Sequence, residues 1–406
     1  MGSSTALSAI LIFAATYAVL AIGRLPGFRV DRTGAAIIGA SLMVALNVLT
    51  VPDAVAAVNT DTILLLFGMM IVVANLRLSG FFALVAEWVV EHAHRPVALL
   101  AMIVAVSGVF SAFFVNDTMC LVLTPLVLEI TTQLRRNPVP YLLAVAMASN
   151  IGSVATVTGN PQNMLIGSFS GISYRAFAAA LSPVALAGLV VVIAIIALFY
   201  RGEFFGDVPP VKIEPLPVRV HRALVWKSTI ASASMIVLFF LGWPIGKVAL
   251  VTGALLLLTR RVKPERVYAE IDWSLLVLFI GLFIVVRGVE KTSLSTDLFA
   301  IASRLHLERT GVLSAFSAVL SNIVSNVPAV LVFRPLIPHL GNPTHAWLAL
   351  AMSSTLAGNL TVLGSVANLI VIQRARHKVQ ITFWEYARVG APITIVTILI
   401  GVLLLP

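Results

Sequence analysis

Apolar runs about 20 residues long recur from one end of the chain to the other, and they leave few folds open. The first, Thr5 to Ile22, carries no charged side chain. A run of that length crosses the hydrocarbon core of a bilayer as a helix. Inside hydrocarbon every backbone N–H and C=O must be satisfied within the protein, so spanning segments are helices or closed barrels. Long runs without alternation fit helices. Composition agrees: 59% of the 406 residues are hydrophobic, 11% are charged, and mean hydropathy is +1.02. Soluble domains carry roughly a quarter charged residues. The sequence therefore predicts an all-α polytopic membrane protein. It has no basic n-region and no small-residue cleavage site, so the first run reads as a span, not a cleaved signal.

The single cysteine, Cys120, excludes an internal disulfide and a thiolate metal cluster. It reads as a small packing residue. The formal charge of +10 comes from Lys and Arg in short loops between apolar runs. That placement reads as topology determinants, not as a nucleic-acid surface.

Spans are expected at about 5–22, 34–50, 61–77, 97–115, 117–134, 139–158, 175–200, 223–241, 246–259, 273–290, 311–325, 327–340, 345–363 and 388–405. The pairs 97–115/117–134 and 311–325/327–340 turn round at a polar tip without a true loop. They read as re-entrant helical hairpins, which leaves about ten crossing segments. With the N- and C-termini outside, most of the 27 basic residues fall on the inner side, as the positive-inside rule requires. The membrane is then the cell's inner one.

The Pro-rich stretch GEFFGDVPPVKIEPLPV, 202–218, reads as a linker between two similar halves. NDTMCLVLTPLV, 116–127, matches NVPAVLVFRPLI, 326–337, and TGNPQN, 158–163, matches LGSVAN, 363–368. Three further matches keep the same order. Each half holds an odd number of crossings, so the repeats are inverted, a pattern common in secondary transporters. The expected organisation is a first repeat over 1–201 with hairpin 97–134 and broken helix 139–168. An inner linker, 202–222, follows. The second repeat, 223–406, holds hairpin 311–340 and broken helix 345–372.

Four polar interruptions stand out: FFVNDTMC, 113–120; IVSNVPAV, 323–330; TVTGNPQN, 156–163; and GNLTVLGSVAN, 358–368. Irregular backbone at membrane depth survives only when packed in protein or lining a wet cavity. The helix ends at such breaks suit an anion or a neutral oxyacid, and the amides can ring a polyhydroxylated solute. Asp117 is the acidic residue at a tip, where a carboxylate is costly and usually functional. It can serve as cation ligand or proton carrier; the bland alternative is an N-cap. Asp61 and Asp272 read as N-caps. Arg334 reads as snorkelling outward, and no arginine clamp is apparent for a dianion.

SNIGSVATVTGNPQNMLIGS, 149–168, FVNDTMCLVLTPLV and SNVPAVLV resemble the signature and hairpin tips of the ion transporter superfamily. That group includes arsenite efflux permeases, divalent-anion/sodium symporters and NhaD-type antiporters. The likeness leans to the arsenite/antimonite permease (ArsB-like) and related anion permease branch. Asn160 stands where many relatives carry an acid. The Ser-Asn-Thr pair of dicarboxylate symporters is only partial here. The resemblance implies site-lining roles for Asn116, Asp117, Thr118, Asn160, Asn163, Ser325, Asn326, Ser365 and Asn368. It also implies an elevator mechanism, with a transport domain sliding on a scaffold that dimerises.

The expected function is a secondary transporter exporting arsenite or antimonite as the trihydroxide, with proton coupling through Asp117. The alternative is sodium- or proton-coupled transport of another small organic or inorganic anion. No cofactor, metal or catalytic residue is expected, and the partners beyond solute and ion are membrane lipid and a soluble ATPase on the inner loops. A channel would need a selectivity-filter string, and an enzyme a nucleophile–base pair or metal triad; neither pattern is found.

Overall fold

In the computed structural model, residues 3–24, 27–93, 95–206, 220–259, 262–292 and 305–405 are described. The chain is an all-helical, multi-pass membrane protein. Among the described residues seven helices are long and apolar enough to cross a membrane, and several shorter apolar helices complete the bundle.

In the first half, α1 (Ser3–Ile22) leads to α2 (Arg32–Ala45), whose first turn is capped by Asp31. A short α3 (Val51–Ala57) begins with a capping box in which Thr50 and Asp53 satisfy each other's backbone N–H. Helix α4 (Thr60–Ser79) is capped by Asn59 and stops at Gly80, whose φ of +86° suits glycine. The amphipathic α5 (Phe81–His92) is too short to span. The first hairpin is α6 (Pro96–Phe113) and α7 (Asn116–Gln133), joined by Phe114 and Val115 alone. Helix α8 (Pro138–Ser153) breaks, passes through a 3₁₀ turn at Val157–Gly159 and resumes as α9 (Pro161–Ser170). The long α10 (Tyr174–Phe199) and the single turn α11 (Arg201–Phe204) close this half.

The second half follows the same plan. It runs through α12 (Arg222–Phe240), α13 (Ile245–Leu257), the short α14 (Pro264–Tyr268) and α15 (Trp273–Glu290). Its hairpin is α16 (Thr310–Val324) and α17 (Asn326–Phe333). Its broken span is α18 (Pro343–Leu356), with 3₁₀ turns at Ala357–Asn359 and Val362–Gly364, then α19 (Val366–Ala375). Helix α20 (Phe383–Leu404) ends the chain.

Several expectations need correction. Helices α3 and α5 fall where no segment was expected, because neither has the length of a span. The arm expected over 327–340 is helical only to Phe333, and a separate turn forms at Ile337–His339. Asn59, not Asp61, caps α4, whereas Asp272 does cap α15 by accepting from Leu275 N–H at 3.0 Å. The linker expected over 202–222 starts inside α11 and ends at the first residue of α12; its stretch 207–219 lies outside the described residues.

Two sets of helices pack among themselves. In one, α4 lies along α13, α2 along α15, and α1 and α12 flank them. In the other, α6 and α7 pack on α8, α19 on α7, α16 on α18 and α10 on α20. The tightest approaches are made where a side chain is missing. A methyl group at Gly152 would land on the backbone of Gly108, and one at Gly68 on the backbone of Ala249. Close backbone approach through small residues is the usual means of helix packing in lipid. The two sets meet where α1 and α15 touch the second hairpin, and Tyr17 Oη donates there to Pro328 O at 3.1 Å.

Candidate functional site

Breaking a helix frees carbonyls that hydrocarbon cannot solvate. Two asparagines supply the missing donors. Asn163 Nδ2 donates to Ser153 O and Thr156 O, each at 3.0 Å. Asn368 Nδ2 donates to Gly358 O at 2.7 Å and Thr361 O at 3.0 Å. The preceding Thr156 and Thr361 share the same backbone angles, φ −139° and ψ 166°. Asn160 and Ser365 then cap α9 and α19, accepting from Asn163 N and Ala367 N.

The two broken spans are stitched to each other by one residue from each opposing helix. Asn150, on α8, donates to Asn359 Oδ1 and Asn368 Oδ1, both at 2.9 Å, and accepts from Ser365 Oγ at 3.0 Å. Thr355, on α18, accepts from Asn160 Nδ2 at 3.2 Å and Gln162 Nε2 at 3.1 Å. The hairpin tips join the same web. Asn116 Nδ2 donates to Asn150 Oδ1 at 3.0 Å. Turned to satisfy its neighbours, the Asn326 amide donates to Ser354 O at 3.2 Å and accepts from Gln162 Nε2 at 3.1 Å.

Against this web lies a cavity of about 80 Å³. Its floor is made by the first residues of four helices: Asn116 and Asp117 of α7, Pro161 and Gln162 of α9, Asn326 and Val327 of α17, and Val366 of α19. Helix N-termini carry partial positive charge and unpaired N–H groups. Leu20, Arg32, Leu275 and Leu278 form the facing wall from α1, α2 and α15.

Three details set the tips apart from ordinary helix ends. Asn116 is 3% exposed and its Oδ1 has no partner. The orientation of that amide is fixed, because both hydrogens of Asn150 are committed and its oxygen must accept. Asp117 is not a cap: Val115 precedes α7 without a side-chain cap bond, and the Asp117 carboxylate faces the N–H of Ala367 instead. Ser325 sits at φ +78°, ψ 160°, a conformation costly for anything but glycine. Such strain clusters at functional sites.

The structure brings Asn116, Asp117, Ser325, Asn326 and Ser365 to the cavity. Asn160, Asn163 and Asn368 are fully buried behind it and brace the backbone, and Thr118 does not line it. Sequence reasoning missed Arg32, Gln162 and the hub Asn150. Gln162 and Asn150 both stand inside the quoted signature stretch. Arg32 gave no signal beyond being one of several basic loop residues, and it is the one arginine among the residues lining the cavity. Arg334 pairs with Glu290, the last residue of α15, at 3.5 Å and stacks on Phe169 at 4.4 Å. Cys120 is fully buried and packs against Val145, in keeping with a packing role.

The sequence profile of the citrate transporter family, CitMHS, matches residues 10–347. An uncharacterized transporter of Mycobacterium tuberculosis is 32% identical, over 98% of this chain and 97% of its own. The silicon efflux transporter LSI3 of rice, Oryza sativa subsp. japonica, is 29% identical over 93% of both chains. Among solved structures, the YdaH transporter of Alcanivorax borkumensis matches with a TM-score of 0.62 at 15% identity, covering 99% of this chain and 96% of that one. That likeness is one of fold.

Proposed function

This chain belongs to the CitMHS citrate transporter family, whose members are membrane transporters and not enzymes, and from that premise we propose that it exports arsenite or antimonite as the neutral trihydroxide in exchange for protons. The observation that carries this reading is the mixture of donors and acceptors on the cavity wall. Four helix N-termini and Arg32 offer N–H groups, while Asn116 Oδ1 lacks a donor and the Asp117 carboxylate, held by Ala367 N–H, adds acceptor capacity. A hydroxide donates and accepts through each O–H. A fully ionised carboxylate only accepts, and would leave Asn116 Oδ1 unpaired at a cost of about 1–3 kcal/mol.

Size points the same way. By the measure in which one water needs about 10–15 Å³, the cavity of about 80 Å³ holds a solute little larger than a cluster of waters. The rice relative is named for silicon efflux, and silicon dissolves near neutrality as a tetrahydroxide, a solute of the same kind. In this reading Asp117 carries the exchanged proton. The bundle built on α8 moves the site past the wall of α1, α2 and α15, in the cell's inner membrane with both chain termini outside.

A second reading has one specific observation in its favour. The positive helix ends with Arg32 also suit a small anion, taken with sodium or protons. Arsenite accumulation in cells lacking their own efflux system separates the two. Lower accumulation with this protein, lost in Asn116→Ala at equal membrane abundance, supports trihydroxide export. Equal accumulation with and without the protein sinks it.

A further inference from the structure

Arg32 is the first residue of α2, half-buried on the cavity wall opposite Asn116 and Asp117. Its Nε donates to Leu20 O at 3.1 Å, in the last turn of α1. That bond fixes the plane of the guanidinium, and among the described residues its other N–H groups meet no carboxylate. Three other basic residues of the fold do meet carboxylates. Arg77 pairs with Glu270, Lys291 with Asp53 at 2.8 Å, and Arg334 with Glu290 at 3.5 Å.

The placement is electrostatically adverse. A cation is disfavoured in the first turn of a helix, and four further helix N-termini face the same small space. Asp117 is the one carboxylate among the lining residues. A positive cluster of that kind, with a free and oriented fork of donors, calls for an electron-rich ligand atom.

We propose that Arg32 is a specificity-determining residue that donates to an oxygen of the transported solute from the wall formed by α1, α2 and α15. The proposal rests on the transport reading above. The contact is available from one side of the membrane. The cavity lies beside the first turns of α15, where Leu275 and Leu278 line it. At the far end of α15, Glu290 holds Arg334 of the second hairpin's arm. An 18-residue helix is about 27 Å long, so the two sets of helices are clasped at one membrane face while the cavity sits towards the other. When the site faces the Arg32 side the guanidinium reaches the solute; once the solute has left for the other side it does not.

The test is arsenite transport in membrane vesicles of both orientations, comparing wild type with Arg32→Gln and Arg32→Lys. The expected result is a KM raised tenfold or more in Arg32→Gln for arsenite presented on the Arg32 side. From the other side the KM stays near wild type and the loss falls on the maximal rate, since both directions share one equilibrium constant, and Arg32→Lys recovers part of the loss. An unchanged KM overturns the proposal. So does a KM raised equally from both sides, or loss of folded protein in both variants, since each marks Arg32 as only a brace for the end of α1. If wild-type vesicles carry silicic acid or citrate but not arsenite, the trihydroxide assignment to arsenic fails, and the same comparison on the carried solute decides the role of Arg32.

Discussion

Asn163 and Asn368 hold the same post in the two halves of the chain: each donates its amide to the carbonyls ten and seven residues before it. The equivalence is one of chemistry as well as position, since both repair the carbonyls that a broken helix leaves open. It also commits both amide nitrogens to the backbone.

Replacing either one should therefore act on stability. Asn163→Ala and Asn368→Ala each strip partners from two buried carbonyls and should cost about 2–4 kcal/mol, seen as a lower melting temperature in detergent. The KM of the protein that remains folded should stay near wild type. A raised KM at unchanged stability would return these residues to the solute path.

Asn150 should be more sensitive than either. It satisfies Asn116, Asn359, Ser365 and Asn368 together, so Asn150→Ala orphans several buried groups at about 1–3 kcal/mol each. The expected outcome is little folded protein in the membrane. Asn150→Asp keeps the acceptor but loses the two donated bonds, and should fold in larger amount than Asn150→Ala. Equal yields for the two would contradict the hub role.

How much of this was legible in the sequence follows from what each residue must do. The hairpins, the broken spans and the repeat were readable because Gly159, Pro161, Asn326 and Asn368 violate the rules of an apolar helix, and violations show against a uniform background. Asn163 was noticed for the same reason, but its bonds to the backbone were not foreseen, because an amide that binds a carbonyl and one that binds a solute look alike in sequence. Arg32 was hidden among loop arginines; only the folding of α2 against α1 and α15 turns it to the cavity. Helices α3 and α5 were missed because a search for spans passes over amphipathic pieces too short to cross.

Ser325→Gly should separate stability from function. Glycine adopts φ +78° without penalty, and relief of the strain is worth about 1–3 kcal/mol. The variant should melt higher in detergent. Losing the hydroxyl from the cavity should at the same time raise the solute KM several-fold. A lower melting temperature would mean the tip is not strained.

Asp53 offers a pH test away from the membrane core. Lys291 and Thr50 hold its carboxyl down to about 2, below its ordinary 3.8. A lowered folded value adds stability that is fully present above the ordinary value and is lost as pH falls through about 2. Asp53 is solvent-exposed, so the effect should be small. The melting temperatures of wild type and Asp53→Asn should differ slightly at neutral pH and converge between about pH 4 and pH 2. A constant gap across that window would exclude the linkage.

The central claim is tested most directly by arsenite flux through the purified protein in liposomes under an imposed pH gradient. Wild type should drive arsenite against its own gradient towards the more acidic side, as exchange for protons requires. Asp117→Asn should carry arsenite only down its gradient, whatever the pH difference. Arsenite movement in wild type that ignores the pH gradient, or no arsenite movement at all, would contradict the account.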